Sequence, residues 1–153
     1  MTVRVGFLGA GFIARYHAMQ LRLASEPHEI VAVHDVDEAR AAKFAADEGG
    51  TVVGDLDAVA EAADAVFVCT WTAAHLEQVR RLCDAGVAVF CEKPLSTDLD
   101  SARELVAVVA ASRTTNMNGV HCQTCVTIMA KMAVSVCPSQ MMFRPSPKII
   151  RST

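Results

Sequence analysis

The sequence has no long hydrophobic run, although its 153 residues are 52% hydrophobic and their mean hydropathy is +0.31. A stretch of about 18 uncharged apolar residues, which a membrane-spanning helix needs, does not occur. The apolar residues near the beginning of the sequence, at positions 3–9, are too few for the core of a secretory signal peptide. We therefore expect a cytoplasmic protein with room for one domain of ordinary size.

Basic character and a secretory context are also missing. The formal net charge is −3, the isoelectric point is near 5.9, and no run of five basic residues occurs. We therefore expect neither nucleic acid nor a membrane as a partner. Without a secretory signal, the six cysteines are interpreted as reduced thiols. Cys69 and Cys91 end predicted strands and are expected to be small buried residues, and we predict no metal site.

Short β-rich segments and helical segments alternate five times over the first 112 residues. Strands are expected at 3–8, 30–34, 51–53, 65–69 and 87–91. Helices are expected at 12–24, at 38–48, from Asp55 or Asp57 to Ala63, at 73–85 and at 98–111. This alternation with short connections predicts an α/β fold, a Rossmann-type doubly wound parallel sheet in three layers.

Capping residues and apolar spacing give more detail about three of these helices. Asp37 is expected to cap the second helix, Gly49-Gly50 to end it, and Thr97 or Asp98 to cap the last helix. In the first helix the residues expected on the buried face are Ile13, Leu21, Ala24 and either Met19 or His17. The last helix is expected to pack on the sheet through Leu99, Ala102, Leu105, Val106 and Val109.

The strongest local signal is Gly9-Ala10-Gly11-Phe12-Ile13-Ala14, which follows the first strand and opens the first helix. It has the GxGxxA form of the dinucleotide-binding fingerprint. The first glycine permits a tight turn, the second lets the backbone approach a pyrophosphate, and the alanine allows close packing of helix and strand. Glycine-rich turns also occur without a cofactor, so the prediction depends on the position of this turn between a strand and a helix.

Asp35 ends the second strand, 24 residues after Gly11. That spacing is near the one expected for the acid that binds the ribose hydroxyls of adenosine. A carboxylate accepts hydrogen bonds from both hydroxyls and repels a 2′-phosphate, so NAD is favoured over NADP. Two alternatives remain, because Asp35 can simply cap a turn and Asp37 can share or take the role.

A polar turn, Cys91-Glu92-Lys93-Pro94-Leu95, leaves the carboxyl end of the fifth strand, at the rim where α/β sheets bind ligands. A cis bond before Pro94 is compatible with this sequence. A lysine there can place its ammonium on a substrate hydroxyl and stabilise the alkoxide character that develops as hydride leaves. The alternative interpretation is a solvated surface turn.

Together, the glycine-rich turn, Asp35, Thr70-Trp71-Thr72-Ala73-Ala74-His75 and the turn around Lys93 resemble the glucose–fructose oxidoreductase / inositol dehydrogenase / rhizopine catabolism (Gfo/Idh/MocA) family. The resemblance runs from Val3 to about Ala111. Trp71 followed by His75 is closer to the inositol dehydrogenase branch, since many members have proline where Trp71 stands.

The resemblance implies a two-domain enzyme that transfers hydride between NAD(P) and a sugar or cyclitol hydroxyl. It implies a small-molecule polyol or sugar as substrate and a homo-oligomeric parent protein. Lys93 matches the catalytic lysine, and His17 matches a frequent helix-one histidine whose expected role is structural. The residues that match the family's cofactor site or belong to the fingerprint are Gly9, Gly11, Phe12, Ile13, Asp35, Thr70, Trp71, His75, Glu92, Lys93 and Pro94.

The composition changes after Ser112. Residues 113–153 hold three of the six cysteines, five of the seven methionines and no aspartate or glutamate. We expect a NAD(P)-binding domain at 1–112 and a disordered or out-of-frame tail at 113–153, with the substrate domain absent. A CxxC pair in the tail favours neither a zinc site nor a redox motif; the residues concerned are His121, Cys122, Cys125 and Cys137. A non-catalytic nucleotide-binding fragment and a poorly folded truncated product are the alternatives.

Overall fold

The fold is known from a computed structural model, which describes residues 2–115 and the side chains up to residue 112. Its sheet has five parallel strands in the order β3-β2-β1-β4-β5. The strands are β1 (Val3–Leu8), β2 (His28–His34), β3 (Thr51–Val52), β4 (Ala65–Val68) and β5 (Ala88–Cys91). The chain builds one side of the sheet from β1 through β3 and then crosses to the other side of β1. The predicted Rossmann-type sheet is confirmed.

Within residues 2–115, four α-helices and one short 3-10 turn connect the strands, and a fifth α-helix follows the last strand. The helices are α1 (Phe12–Leu21), α2 (Glu38–Glu48), α3 (Leu56–Ala62), α4 (His75–Asp84) and α5 (Leu99–Thr115), and the 3-10 turn is Thr72–Ala74. No helix among residues 2–115 is both long enough and apolar enough to cross a membrane.

Two apolar cores lie on opposite faces of the sheet. The first, against α1 and α2, has Phe7 at its centre, with its ring centroid 5.0 Å from that of Phe44 and 5.1 Å from that of Phe67. The second, against α3, α4 and α5, includes Leu8 and Val59. Successive β1 side chains enter different cores because side chains of a strand alternate between faces.

Aspartates cap three helices and settle two alternatives left open by the sequence. Asp37 accepts a hydrogen bond from the N–H of Arg40 at 3.1 Å, and α2 has the predicted bounds. Asp55, rather than Asp57, caps α3 by accepting from Ala58 N–H at 2.9 Å. For α5 the cap is Asp98, rather than Thr97, and its partner is the N–H of Ser101 at 2.8 Å.

The predicted end of the first helix at residue 24 is wrong. The helix α1 ends at Leu21, because the N–H groups of Leu23 and Ala24 bond to carbonyls only three residues back, at 3.0 and 2.9 Å. Its buried face carries His17, whereas Met19 is 47% exposed, which decides between the two candidates.

The last helix also differs from its prediction, because it extends to Thr115. Leu105 is buried, but Leu99 is 63% and Val106 is 45% exposed, so placing these two against the sheet was wrong. The helix packs along α4, so fewer of its apolar residues are covered than the spacing suggested.

The second strand begins at His28, two residues earlier than predicted, where it pairs with Val3. The predictions on residues 116–153, including His121, Cys122, Cys125 and Cys137, lie outside the described residues.

Candidate cofactor site at the carboxyl edge of the sheet

Four connections that leave the carboxyl ends of β1, β2, β4 and β5 meet at one edge of the sheet. The crossing from one half of the sheet to the other falls between β1 and β4, which is where open α/β sheets bind ligands. Every residue that the sequence predicted for the site lies in one of these connections or at the start of the helix that follows it.

The turn after β1 depends on Gly9. Its φ is +85°, and a side-chain Cβ would lie 2.6 Å from the carbonyl oxygen of Cys69. Only glycine adopts such a conformation at low energy. Ala14 is fully buried, so α1 packs closely on the sheet.

Gly11 has a different part in the same turn. It is the N-cap of α1 with an ordinary φ of −74°, and it offers no side chain to the first helical N–H groups. A Cβ there would meet no atom within 4 Å, so the space in front of the helix is open. Phe12 beside it is 85% exposed and Ile13 is half-buried. Unpartnered N–H groups facing open space suit a phosphate.

Asp35 is fixed by several hydrogen bonds. Its carboxylate accepts from the N–H of Ala10 at 2.7 Å, from the N–H of Asp37 at 2.9 Å and from Arg40 at 3.0 and 2.9 Å. Burial favours a higher pKa for Asp35, but these hydrogen bonds and the Arg40 charge outweigh it and lower the pKa. The carboxylate is therefore ionised beside the glycine-rich turn.

A cleft of about 500 Å³ opens next to this turn, between α1 and α2. Its lining includes three basic side chains, Arg15, Arg40 and Lys43, together with Gly11 and Phe12. Asp47 neutralises part of this charge, because it lies 2.8 Å from Arg15 and 3.3 Å from Lys43. Arg15, Arg40 and Lys43 were not among the predicted site residues. Their only signal was the spacing of Arg40 and Lys43 on one face of α2.

His75 connects the turn after β4 to the turn after β5. Its ring is 1% exposed, and its Nδ1 and Nε2 lie 3.1 Å from the Pro94 carbonyl and 3.2 Å from the Thr70 carbonyl. Thr70 also donates its hydroxyl to the side chain of Gln78. The histidine therefore holds two loops of the site together, and its predicted contact with the cofactor stays a prediction. Trp71, in contrast, is 83% exposed at the same edge.

The turn after β5 contains a cis Lys93–Pro94 bond. Lys93 is exposed, and its N–H donates to Oε2 of Glu92 at 3.0 Å. The other carboxylate oxygen of Glu92 lies 2.5 Å from Nε2 of His17, a contact between residues 75 positions apart that the sequence did not reveal. A polar residue on the buried face of α1 was its only signal.

The two cysteines at this edge are neutral thiols. Burial, followed by the charge of Glu92, raises the pKa of Cys69 far above its usual range and that of Cys91 to about 12. Cys69 is buried and Cys91 is half-buried. Among residues 2–115, no group of three His, Cys, Asp or Glu side chains is arranged to hold a metal ion.

Comparison with known proteins gives an oxidoreductase family with an NAD-binding Rossmann fold, whose model matches residues 3–120. An inositol 2-dehydrogenase from Cereibacter sphaeroides is 40% identical over 113 residues, which are 72% of this chain and 34% of that protein. The chain thus spans about a third of the length of the curated relatives it matches.

Solved structures give the same fold. A putative myo-inositol dehydrogenase from Sinorhizobium meliloti 1021 superposes with a TM-score of 0.67 and 36% identity, covering 72% of this chain and 34% of that one. KijD10, a 3-ketoreductase from Actinomadura kijaniata solved with NADP and TDP-benzene, has a TM-score of 0.66 and 33% identity, covering 73% of this chain and 35% of that one.

Proposed function

The chain belongs to the Gfo/Idh/MocA oxidoreductase family, and from that premise we propose that it binds NAD along the carboxyl edge of its sheet for hydride transfer to and from a sugar or inositol hydroxyl. The domain is an NAD(P)-binding Rossmann domain. The choice of NAD, the substrate class and the roles of individual residues are the proposed part. Because the chain spans about a third of its relatives, the hydride transfer is proposed for the whole protein.

One observation carries the proposal: Ala10 in the glycine-rich turn donates its N–H to Asp35 at 2.7 Å, across the gap between β1 and β2. The hydrogen bond places an ionised carboxylate directly beside the helix N-terminus that suits a pyrophosphate. A phosphate site and a ribose-binding acid in contact are two neighbouring parts of a dinucleotide site. A glycine-rich turn that binds no dinucleotide would not need a ribose-binding acid beside it.

The strand order supports one direction for the proposed cofactor. Asp35 follows β2 and Lys93 follows β5, with β1 and β4 between them. Three strand spacings separate these ends, or about 14 Å. With the pyrophosphate in front of α1, the adenosine half therefore points to Asp35 and the nicotinamide half to Glu92 and Lys93.

Asp35 and Arg40 decide between NAD and NADP in this proposal. The carboxylate of Asp35 accepts ribose hydroxyls and repels a 2′-phosphate, whereas Arg40, at 2.9 Å from it, is a group that a 2′-phosphate attracts. We expect NADH to bind more tightly than NADPH, because Arg40 is occupied by Asp35. In Asp35→Ser, Arg40 is released and the order should reverse; an unchanged order would contradict this assignment.

Lys93 would act on the substrate oxygen. When bound, the oxidised nicotinamide would accept the hydride from the carbon that carries the hydroxyl group. The exposed ammonium of Lys93 would stabilise the negative charge that develops on that oxygen. A substrate in the sugar or inositol class is supported by the relatives that carry inositol dehydrogenase names.

Binding of the cofactor can be measured without any chemistry, because Trp71 is the single tryptophan and lies exposed at the same edge. NADH absorbs light where tryptophan emits, so binding should quench this emission and raise the unfolding temperature. Gly11→Ala should weaken NADH binding at least about tenfold, with little change in stability, because its Cβ enters open space. Gly54→Ala also meets no atom within 4 Å and is the matched control. Absence of quenching and of stabilisation at millimolar NADH would overturn the proposal.

The chemistry needs a substrate domain and is tested in a chimera. Residues 2–115 replace the matching part of the Cereibacter sphaeroides inositol 2-dehydrogenase, and NADH formation from NAD is followed with myo-inositol and with aldoses. We expect turnover that is lost in Lys93→Met while NADH still binds. A chimera that binds NADH but oxidises none of these substrates would favour the non-catalytic alternative.

A further inference from the structure

His17 and Glu92 form a buried pair that the proposed chemistry does not use. Nε2 of His17 lies 2.5 Å from Oε1 of Glu92, and the two side chains are 7% and 13% exposed. An ionised carboxylate only accepts hydrogen bonds, so the imidazole donates through Nε2. A buried hydrogen bond to a charged group is among the stronger ones in proteins, and losing either partner leaves the other unsatisfied.

The ring of His17 is held in place by aromatic side chains of two strands. Its centroid lies 5.3 Å from that of Phe67 on β4 and 5.1 Å from that of Phe90 on β5, the latter edge to face. Phe67 and Phe90 also contact each other, with centroids 4.9 Å apart. These contacts restrict the ring to an orientation in which Nε2 faces Glu92.

Glu92 carries this connection into the turn that presents Lys93. Its Oε2 accepts the N–H of Lys93 at 3.0 Å, and its own N–H donates to the carbonyl of Val68 at 3.0 Å. Both carboxylate oxygens are thus engaged, one by α1 and one by the turn. A displacement of His17 would leave the turn without its connection to α1.

We propose that His17 is a positioning residue, which acts through Glu92 to hold the Lys93 turn at a fixed place relative to the N-terminus of α1. Gly11 and His17 lie six residues apart on one helix, so the same rigid element meets the pyrophosphate at one end and fixes the nicotinamide side near the other. The inference rests on the proposed function, because it assigns the helix that carries His17 to the pyrophosphate and the turn that follows Glu92 to the nicotinamide of the same cofactor.

The proposal requires that His17 affects one half of the cofactor more than the other. We compare the dissociation constants of NADH and of ADP-ribose, which lacks the nicotinamide. Calorimetry measures both constants, and quenching of Trp71 gives a second value for NADH. His17→Leu should weaken NADH binding about tenfold and ADP-ribose binding less than about twofold. His17→Gln keeps a donor N–H and should restore part of the NADH affinity. Equal weakening of both ligands, or of neither, would overturn the inference.

Glu92→Gln keeps the proposal testable if His17→Leu does not fold, since it preserves the shape of the side chain and removes its charge. It should produce the same unequal loss, and its combination with His17→Leu should cost little more than either change alone. Independent, additive losses would count against the pair. Wild-type chain that binds neither ligand would refute the proposed function itself, an outcome distinct from a failure of this inference.

The matched control is the ion pair of Arg4 with Asp64, whose Nη2 and Oδ1 atoms are 2.7 Å apart. It also joins two parts of the chain that are distant in sequence, but it lies where β4 begins, at the opposite edge of the sheet. Asp64→Asn should change the stability without changing the ratio of the two dissociation constants. A change in that ratio would show that the measurement reports stability and would remove the support for His17.

Discussion

At the scale of single residues, Asp35 connects the fold with the proposed function. Its carboxylate holds the glycine-rich turn through Ala10 and holds the start of α2 through Asp37 and Arg40. Because these hydrogen bonds already fill the lone-pair sites of the carboxylate, a ribose hydroxyl would replace one from Arg40, while Ala10 and Asp37 keep the group in position. The sequence predicted an acid at this place. It did not predict the arginine, since that pairing is made by a folded turn between β2 and α2.

The lowered pKa of Asp35 gives its contribution to stability a defined pH dependence. A group whose pKa is lower in the folded state than in the unfolded state stabilises the fold above its unfolded value, near 4, and loses this effect as the pH falls through the folded value. Asp35→Asn should therefore be less stable than wild type at pH 7, by about 1–3 kcal/mol, and the gap should narrow by pH 3.

Urea unfolding at the two pH values measures this difference. Glu61→Gln, an exposed change on α3, is the control and should show no such gap. A gap for Asp35→Asn that is as large at pH 3 as at pH 7 would contradict the assignment of the effect to the ionised carboxylate.

At the scale of elements, the helices α2, α3 and α5 each begin at a capping aspartate. The helix α3 has only seven residues, and Asp55 caps it at 2.9 Å from the N–H of Ala58. Asp55→Ala should cost about 1 kcal/mol of unfolding free energy. Glu61→Ala on the same helix, exposed to solvent, should cost less than about 0.5 kcal/mol. Equal costs in thermal or urea unfolding would show that the cap contributes nothing specific.

The elements also show which features the sequence could predict. The helix α2 has the predicted bounds because local chemistry marks both ends, with Asp37 at one and Gly49, at φ +99°, at the other. The end of α1 was predicted too late because no residue directly after Leu21 marks it. For α5, apolar spacing does not distinguish packing on the sheet from packing along α4, so the exposed Val106 was assigned to the core.

The site divides in the same way. Gly9, Asp35 and the turn around Lys93 follow from their position after a strand, and the structure brings all of them to one edge. The contact between His17 and Glu92 joins residues 75 positions apart and requires the order of the strands to be known. Local patterns therefore predict which groups are present at the edge, and the fold determines which of them meet.

At the scale of the whole molecule, the two cores and the carboxyl edge have separate roles. The core against α3, α4 and α5 contributes no side chain to the cleft between α1 and α2. Val59 is fully buried in that core. Weakening it should therefore lower the stability of the domain without changing the free energy of cofactor binding, because distant sites act additively.

Val59→Ala tests this separation. Loss of two buried methyl groups should cost about 2 kcal/mol of unfolding free energy. NADH at a hundred times its dissociation constant should return about 2.7 kcal/mol, so the variant with NADH should be at least as stable as wild type without it. Urea unfolding with and without NADH gives both numbers, and Gly11→Ala, with binding at least about tenfold weaker, should gain no more than about 1.4 kcal/mol at the same concentration. A gain for Val59→Ala that falls more than about 0.5 kcal/mol short of the wild-type gain would mean that the far core transmits strain to the site through β1.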